Sequence, residues 1–148
     1  MNDDANDIKR PWLPAPPGRL VGRGHPAGDF LEAFDWRVVD HTPGSYRIEA
    51  HLPKHVMNPR GHLFGGFAPT YIDLLAIYTG RSDIQVPFRG FATVNMRVDY
   101  FEPVLGERFI LESRIVHVRD RTLLVEVLFR DLEDKLLIFS TVTLRRRT

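Results

Sequence analysis

Cysteine is absent from the 148 residues, which excludes disulfides, thiol nucleophiles and cysteine-held zinc. No uncharged apolar run reaches the length of a membrane span. The acidic start, Met1-Asn2-Asp3-Asp4, lacks the basic-then-apolar order of a secretory signal. An excess of one charge is lacking too. Twenty Lys and Arg face 19 Asp and Glu, leaving a net charge of +1 and no global pull toward nucleic acid or an anionic membrane. Missing as well are a Gly-rich phosphate loop, a dinucleotide fingerprint and a Gly-x-Ser-x-Gly elbow. The expectation is a soluble cytoplasmic protein with no nucleic-acid or membrane partner.

What is present suits one domain. Residues are 43% apolar, and the length allows a real core but not two. Residues 1–25 read as a flexible arm, in which Pro11, Pro14, Pro16 and Pro17 alternate with glycine and charge. The domain proper is expected over 26–148, opening with a short helix from Pro26 to Phe34. Strands follow at 36–41 and 46–52, joined by the turn residues Thr42-Pro43-Gly44-Ser45. An irregular stretch leads to one long helix, about Gly65 to Arg81. Beyond it, Thr93, Asn95, Arg97 and Asp99 alternate with Val94, Met96, Val98 and Tyr100, a period of two without a slip. Further strands are predicted at 109–118, 123–130 and 136–145.

This order specifies an α+β domain. A mostly antiparallel sheet has one apolar face to cover, and one long helix to cover it with. That helix is apolar nearly all round, with Phe67, Tyr71, Ile72, Leu74, Leu75, Ile77 and Tyr78. A sheet curved around it buries most of the helix, and a second copy is the simplest cover for the remainder.

Asp73 is the one charged residue between Phe64 and Gly80. Burying a carboxylate there costs several kcal/mol, roughly, unless donors compensate. Two readings follow: an aspartate held by structural donors, or a general base or nucleophile at an enclosed site. Gly65-Gly66 opens the same helix, where first-turn amides lack intrahelical partners and suit a developing oxyanion.

The stretch Asn58-Pro59-Arg60-Gly61-His62-Leu63-Phe64-Gly65-Gly66, followed by Asp73, resembles the signature of PaaI-like hotdog thioesterases. That pattern is Asn, two residues, Gly, two residues, His-Gly-Gly, then an Asp within the helix. The segment from Ala92 to Gly106 is similar to the family's third strand and its following turn. The resemblance covers about residues 30–146 and implies a hotdog fold, an antiparallel sheet wrapped around one central helix. It also implies an acyl-CoA substrate and a homo-oligomer, dimer or tetramer, whose sites draw on two chains, with no metal or organic cofactor. Carried over by position, Gly65 offers its amide to the thioester carbonyl, and Asn58 orders the loop or assists polarisation. Asp73 is base or nucleophile, and Thr93 positions the attacking water. Phe64 stands where the family usually has histidine, although some acyl-CoA hydrolases of this fold carry Phe-Gly-Gly.

Phe64, Gly66, His62, Arg60 and Arg97 are the candidate substrate contacts. Phe64, Phe67, Tyr71, Phe88 and Phe91 suit either an aromatic pocket or plain core. His51, His55 and His62 suggest a metal only weakly, because prolines break the segment and no acidic ligand lies nearby in sequence. Arg145-Arg146-Arg147 reads either as a solvated tail or as a contact for coenzyme A phosphates. The rival functions are a non-catalytic acyl-CoA binder on the same fold and a hotdog dehydratase. The latter lacks the histidine paired with an aspartate at the helix start that its chemistry needs.

Overall fold

The computed structural model describes residues 13–24, 26–83 and 90–147. Helix α1 spans Pro26–Phe30, and a 3-10 turn at Ala33–Asp35 follows it. Strands β1 (Arg37–Thr42) and β2 (Ser45–His51) form a hairpin. Its turn is Pro43-Gly44, where Pro43 presets one φ and Gly44 takes the φ of +82° that a side chain would resist. A 3-10 turn at Gly65–Phe67 runs directly into α2, Ala68–Ser82, with Pro69 in the first turn, where its missing N–H costs nothing. Strands β3 (Phe91–Tyr100), β4 (Arg108–Arg119), β5 (Thr122–Arg130) and β6 (Leu136–Arg146) complete the chain.

The six strands form one antiparallel sheet in the order β1-β2-β4-β5-β6-β3. One face curves over α2. Ile48, Ala50, Phe109, Leu111, Val125, Val127, Phe129, Val142 and Leu144 point at the helix and are buried, while polar residues alternate on the other face. From the helix, Ala68, Tyr71, Ile72, Leu75 and Ala76 lie at 0% exposure. Tyr71 sits at the centre, stacked on Trp36 with ring centroids 5.5 Å apart and edge-on to Phe109 and Phe129. This is the hotdog arrangement, with α2 as the filling. The helix is not apolar all round, however. Thr70, Asp73 and Ile77 form a half-buried stripe that ends at exposed Arg81, and Asp73 in it meets Thr93 of the edge strand β3.

Two expectations need correction. Strand β3 does slip: its register shifts between Thr93 and Asn95, so both Thr93 and the Met96-Val98-Tyr100 series pair with helix-facing residues of β6. Val94 is the extra residue, 61% exposed. The second correction concerns the arm, of which residues 13–24 are described. Val21 is fully buried in the core, Val38 N–H donates to Gly18 O at 2.8 Å, and Arg19 bridges to Arg37 on β1. At Gly22 an added Cβ would lie 1.7 Å from the Leu13 carbonyl oxygen, so two passes of this segment touch where only glycine fits. Proline-rich composition hid a segment that docks through Leu20 and Val21, through Arg23 over the Phe34 ring, and through backbone bonds.

Candidate active site

The loop before α2 is held by backbone pairing at each end. Leu63 N–H donates to Val104 O and Phe64 N–H to Val56 O, both at 2.8 Å. Between them Asn58 organises a tight turn. Its Oδ1 accepts the N–H groups of Arg60 (2.9 Å) and His62 (3.1 Å), and its own N–H donates to His62 O at 2.7 Å. The Asn58 carbonyl oxygen is therefore committed to ordering the loop. Arg60 and Gly61 lie exposed at its tip, while His62 is half-buried and bridged to Leu105.

The loop delivers Gly65 and Gly66 to the start of the 3-10 turn, both exposed. Among the described residues neither backbone N–H has a partner. Neither glycine has a positive φ, and a Cβ on Gly65 would make ordinary contact with the Tyr100 ring at 3.6 Å. The glycines thus leave the amides bare rather than relieve backbone strain. Tyr100, which sequence reasoning missed, donates its hydroxyl to Gly65 O at 2.6 Å. Burial raises its phenol pKa above the ordinary value. The signal available in the sequence was a hydroxyl-bearing aromatic at a helix-facing position of β3. Phe64 is 51% exposed, its ring 5.7 Å from Phe67, which in turn meets Phe30 edge-on at 5.3 Å.

Asp73 lies two helical turns further on, half-buried, and its Oδ1 accepts a hydrogen bond from the Thr93 hydroxyl. Neither a backbone amide nor an arginine holds Asp73 among the described residues; its donor is a hydroxyl. One oxygen has a single hydroxyl donor, and no ion pair to Asp73 is present among the described residues. The β-bulge makes the contact possible, since an unbroken period of two would place Thr93 beside Asn95 on the outer face.

The remaining candidates are dispersed. Arg97 is on the outer face of β3, paired with Asp99 at 3.1 Å and separated from Asp73 by the sheet. Tyr71 belongs to the core, Phe91 packs at the far end of α2 against Gly80, and Phe88 lies outside the described residues. The three histidines have separate partners: His51 meets Glu32 at 2.9 Å, His55 meets Phe30 O at 2.5 Å, and His62 bridges Leu105.

The site has a free edge beside it. Strand β3 ends the sheet, so among the described residues one row of its backbone groups has no strand to pair with. Val94, Tyr100 and Phe101 along it are 61%, 51% and 61% exposed. Among the described residues no helix is long and apolar enough to cross a membrane.

Solved structures share this architecture. A thioesterase family protein from Silicibacter pomeroyi superposes with a TM-score of 0.70 at 19% identity, covering 82% of this chain and 88% of its own. Thioesterase superfamily member 2 from Mus musculus gives 0.69 at 18%, covering 80% and 86%. A Streptococcus mutans protein bound to acetyl CoA gives 0.68 at 19%, covering 76% and 89%. At such identities the likeness is one of fold. Curated protein sequences yield no match. Residues 60–138, however, match the thioesterase superfamily family model, a span running from the Asn58 turn through α2, Asp73 and Thr93 into β6. With more than half of its length matched, and the hotdog sheet and helix in place, this chain belongs to the thioesterase superfamily.

Proposed function

We propose that this protein hydrolyses an acyl-CoA thioester to the free acid and coenzyme A, at a site shared by two copies of the chain. The observation that carries this is a spacing. Asp73 stands eight residues after Gly65, roughly 12 Å along the helix axis at the usual rise. A base acting on the attacking water and a donor holding the carbonyl oxygen must both lie within hydrogen-bond reach of one carbonyl group. A single chain offers each half but not both together. Two copies joined antiparallel along the β3 edge would set each Asp73 near the Gly65 of the other and cover the apolar row of Val94, Tyr100 and Phe101.

The chemistry then follows from the groups present. The Thr93 hydroxyl occupies Asp73 Oδ1 and orients the carboxylate, leaving the other oxygen to take a proton from water. Hydroxide attacks the thioester carbon, and the oxyanion is received by the bare amide of Gly65 on the second copy, aided by the positive end of α2. The C–S bond breaks and the departing thiolate takes the proton from Asp73, which regenerates the carboxylate. Direct attack by Asp73, through an anhydride, needs the same two halves. Acetyl CoA bound to the Streptococcus mutans protein of the same fold supports a coenzyme A thioester as substrate. Phe64 favours a second reading, acyl-CoA binding without hydrolysis, because an exposed phenyl ring stands where the resembled signature has histidine.

Subunit mixing tests both. Asp73→Asn should lower turnover by about a hundredfold or more while acyl-CoA binding and fold persist. Gly65→Pro removes the amide at a position suited to proline: Phe64 before it is extended, with ψ 126°, and Gly65 is the first residue of the turn. Each variant alone should be inactive. Mixed and reassembled, they should regain about a quarter of wild-type activity, since half the dimers hold one intact site of two. No recovery on mixing rules out the shared site. A wild-type chain that binds acyl-CoA but never releases thiol establishes the binder instead.

A further inference from the structure

The C-terminal arginines are not a solvated tail. Arg145 and Arg146 lie within β6, paired with Ala92 and Phe91 of β3, and Arg145 also pairs with Thr122 of β5. Arg146 N–H donates to Arg121 O at 2.7 Å and Arg147 N–H to Gly90 O at 2.9 Å, which ties the end of the chain to both neighbouring connections. Gly90 takes a φ of +116° to receive it, with the Arg147 stem 3.6 Å from where a Cβ would stand. The result is an open depression of about 290 Å³ lined by Ala92, Arg121, Arg145, Arg146 and Arg147.

Four guanidinium groups thus share one hollow in a protein whose net charge is only +1. Among the described residues none of the four is paired with a carboxylate. Several arginines elsewhere on the sheet are paired. Arg47, Arg108, Arg114 and Arg130 all meet carboxylates on the sheet. Concentrating like charge without a counter-charge is unfavourable unless an anion completes the set. Guanidinium forks match phosphate oxygens bidentately, and several forks around one hollow suit a ligand with more than one phosphate.

We infer that this arginine hollow is a phosphate-binding site for the nucleotide end of the substrate, taking the 3′-phosphate and diphosphate groups of coenzyme A. The inference rests on the acyl-CoA reading and deepens it. Ala92 is the neighbour of Thr93, so the hollow lies at the same end of β3 as the Asp73–Thr93 pair but opens on the other face. The pantetheine arm, which separates thioester from nucleotide, would pass around that end of the strand. The charge on the hollow would then select coenzyme A esters over other thioesters without contributing to the bond-breaking step.

The test uses the full chain and two readouts. The first is direct binding of adenosine 3′,5′-bisphosphate, which needs no catalysis. The second is the KM for an acyl-CoA against that for the same acyl group on pantetheine, which has no nucleotide. The double variant Arg121→Gln/Arg145→Gln alters two exposed side chains, and Arg23→Gln/Arg37→Gln makes the same charge change toward the opposite edge of the sheet. The arginine hollow predicts that the first pair weakens bisphosphate binding and raises the acyl-CoA KM by about tenfold or more, with kcat and the pantetheine-ester KM unchanged. The second pair should leave all of these near wild type. Equal bisphosphate binding in wild type and the first pair overturns the assignment, as does an equal loss in both pairs. So does a duplex DNA that competes as well per phosphate as the bisphosphate. If bisphosphate binding is lost in the first pair alone but no thioester is hydrolysed by wild type, the hollow stands and hydrolysis falls.

Discussion

The Tyr100 hydroxyl holds the carbonyl of Gly65, and the same planar peptide carries the N–H of Gly66 on its other side. Fixing the oxygen therefore fixes the direction in which the start of α2 presents its donors. The carboxylate is oriented in a similar way, by the Thr93 hydroxyl. Tyr100→Phe keeps the ring against Gly65 and removes only the hydrogen bond. It should lower kcat by about three- to tenfold, the scale of one lost hydrogen bond, with KM and melting temperature close to wild type. Steady-state kinetics that show an unchanged kcat would reduce Tyr100 to a packing residue. Core tyrosine behaves differently. Tyr71 is fully buried with its hydroxyl unpartnered among the described residues, so its contribution is the ring against Trp36, Phe109 and Phe129.

Strand β3 shows how one inserted residue reassigns a side chain. Because successive residues face opposite sides, the extra Val94 sends Thr93 to the helix face while Asn95, Arg97 and Asp99 keep the outer one. Deleting Val94 should leave a regular ladder in which Thr93, now next to Asn95, still pairs with Leu144 on the helix face, so thioester turnover should persist. The circular dichroism spectrum should stay native, and a folded deletion that loses turnover would refute the view that the bulge matters only through the face it gives Thr93. The segment before α1 makes the complementary point about stability. Removing residues 1–24 exposes the site of Val21, whose burial is worth about 1.5–3 kcal/mol. For a chain of this length that should lower the melting temperature by roughly 5 °C or more. A truncated protein that melts with the full chain would show that the docking of 13–24 contributes nothing.

At the scale of the molecule, the tyrosines set an alkaline limit. All four titrate above their usual value, chiefly because burial disfavours the phenolate; nearby Arg81 partly offsets this for Tyr46 and Tyr78, and the Ser82 hydrogen bond does so for Tyr46. With folded-state pKa values above the unfolded value of about 10, the folded chain holds more protons than the unfolded one at higher pH. Stability should therefore be insensitive to these groups below pH 10 and fall as pH rises beyond it. Denaturant titrations from pH 8 to 11.5, read beside tyrosinate absorbance, should show unfolding and ionisation moving together. Ionisation at an ordinary pKa, without loss of structure, would contradict the buried placement of Tyr71.

Much of this was legible in the residues themselves. Alternating apolar positions marked β1, β2, β4, β5 and β6 to within a residue or two, because a sheet with one covered face imposes a period of two. Pro43-Gly44 announced the hairpin through backbone geometry alone. The long helix and its lone carboxylate stood out because a charge in an apolar helix needs a reason. Asn58, Gly65 and Asp73 could be named from a motif, since loop geometry and a helix start depend on local residue types. What local pattern could not supply was anything set by pairing across the chain. The bulge that turns Thr93 to Asp73 is a register between β3 and β6, and Tyr100 reaches Gly65 from 35 residues away. Val21 is buried by elements that follow it, and Arg121 joins Arg145, Arg146 and Arg147 because β5 begins where β6 ends. Sequence determined which elements form and which face of each is apolar, through short-range sterics and hydrophobic period. Tertiary structure alone decided which polar groups meet, because hydrogen bonds and charge contacts act over a few ångströms between residues distant in the chain.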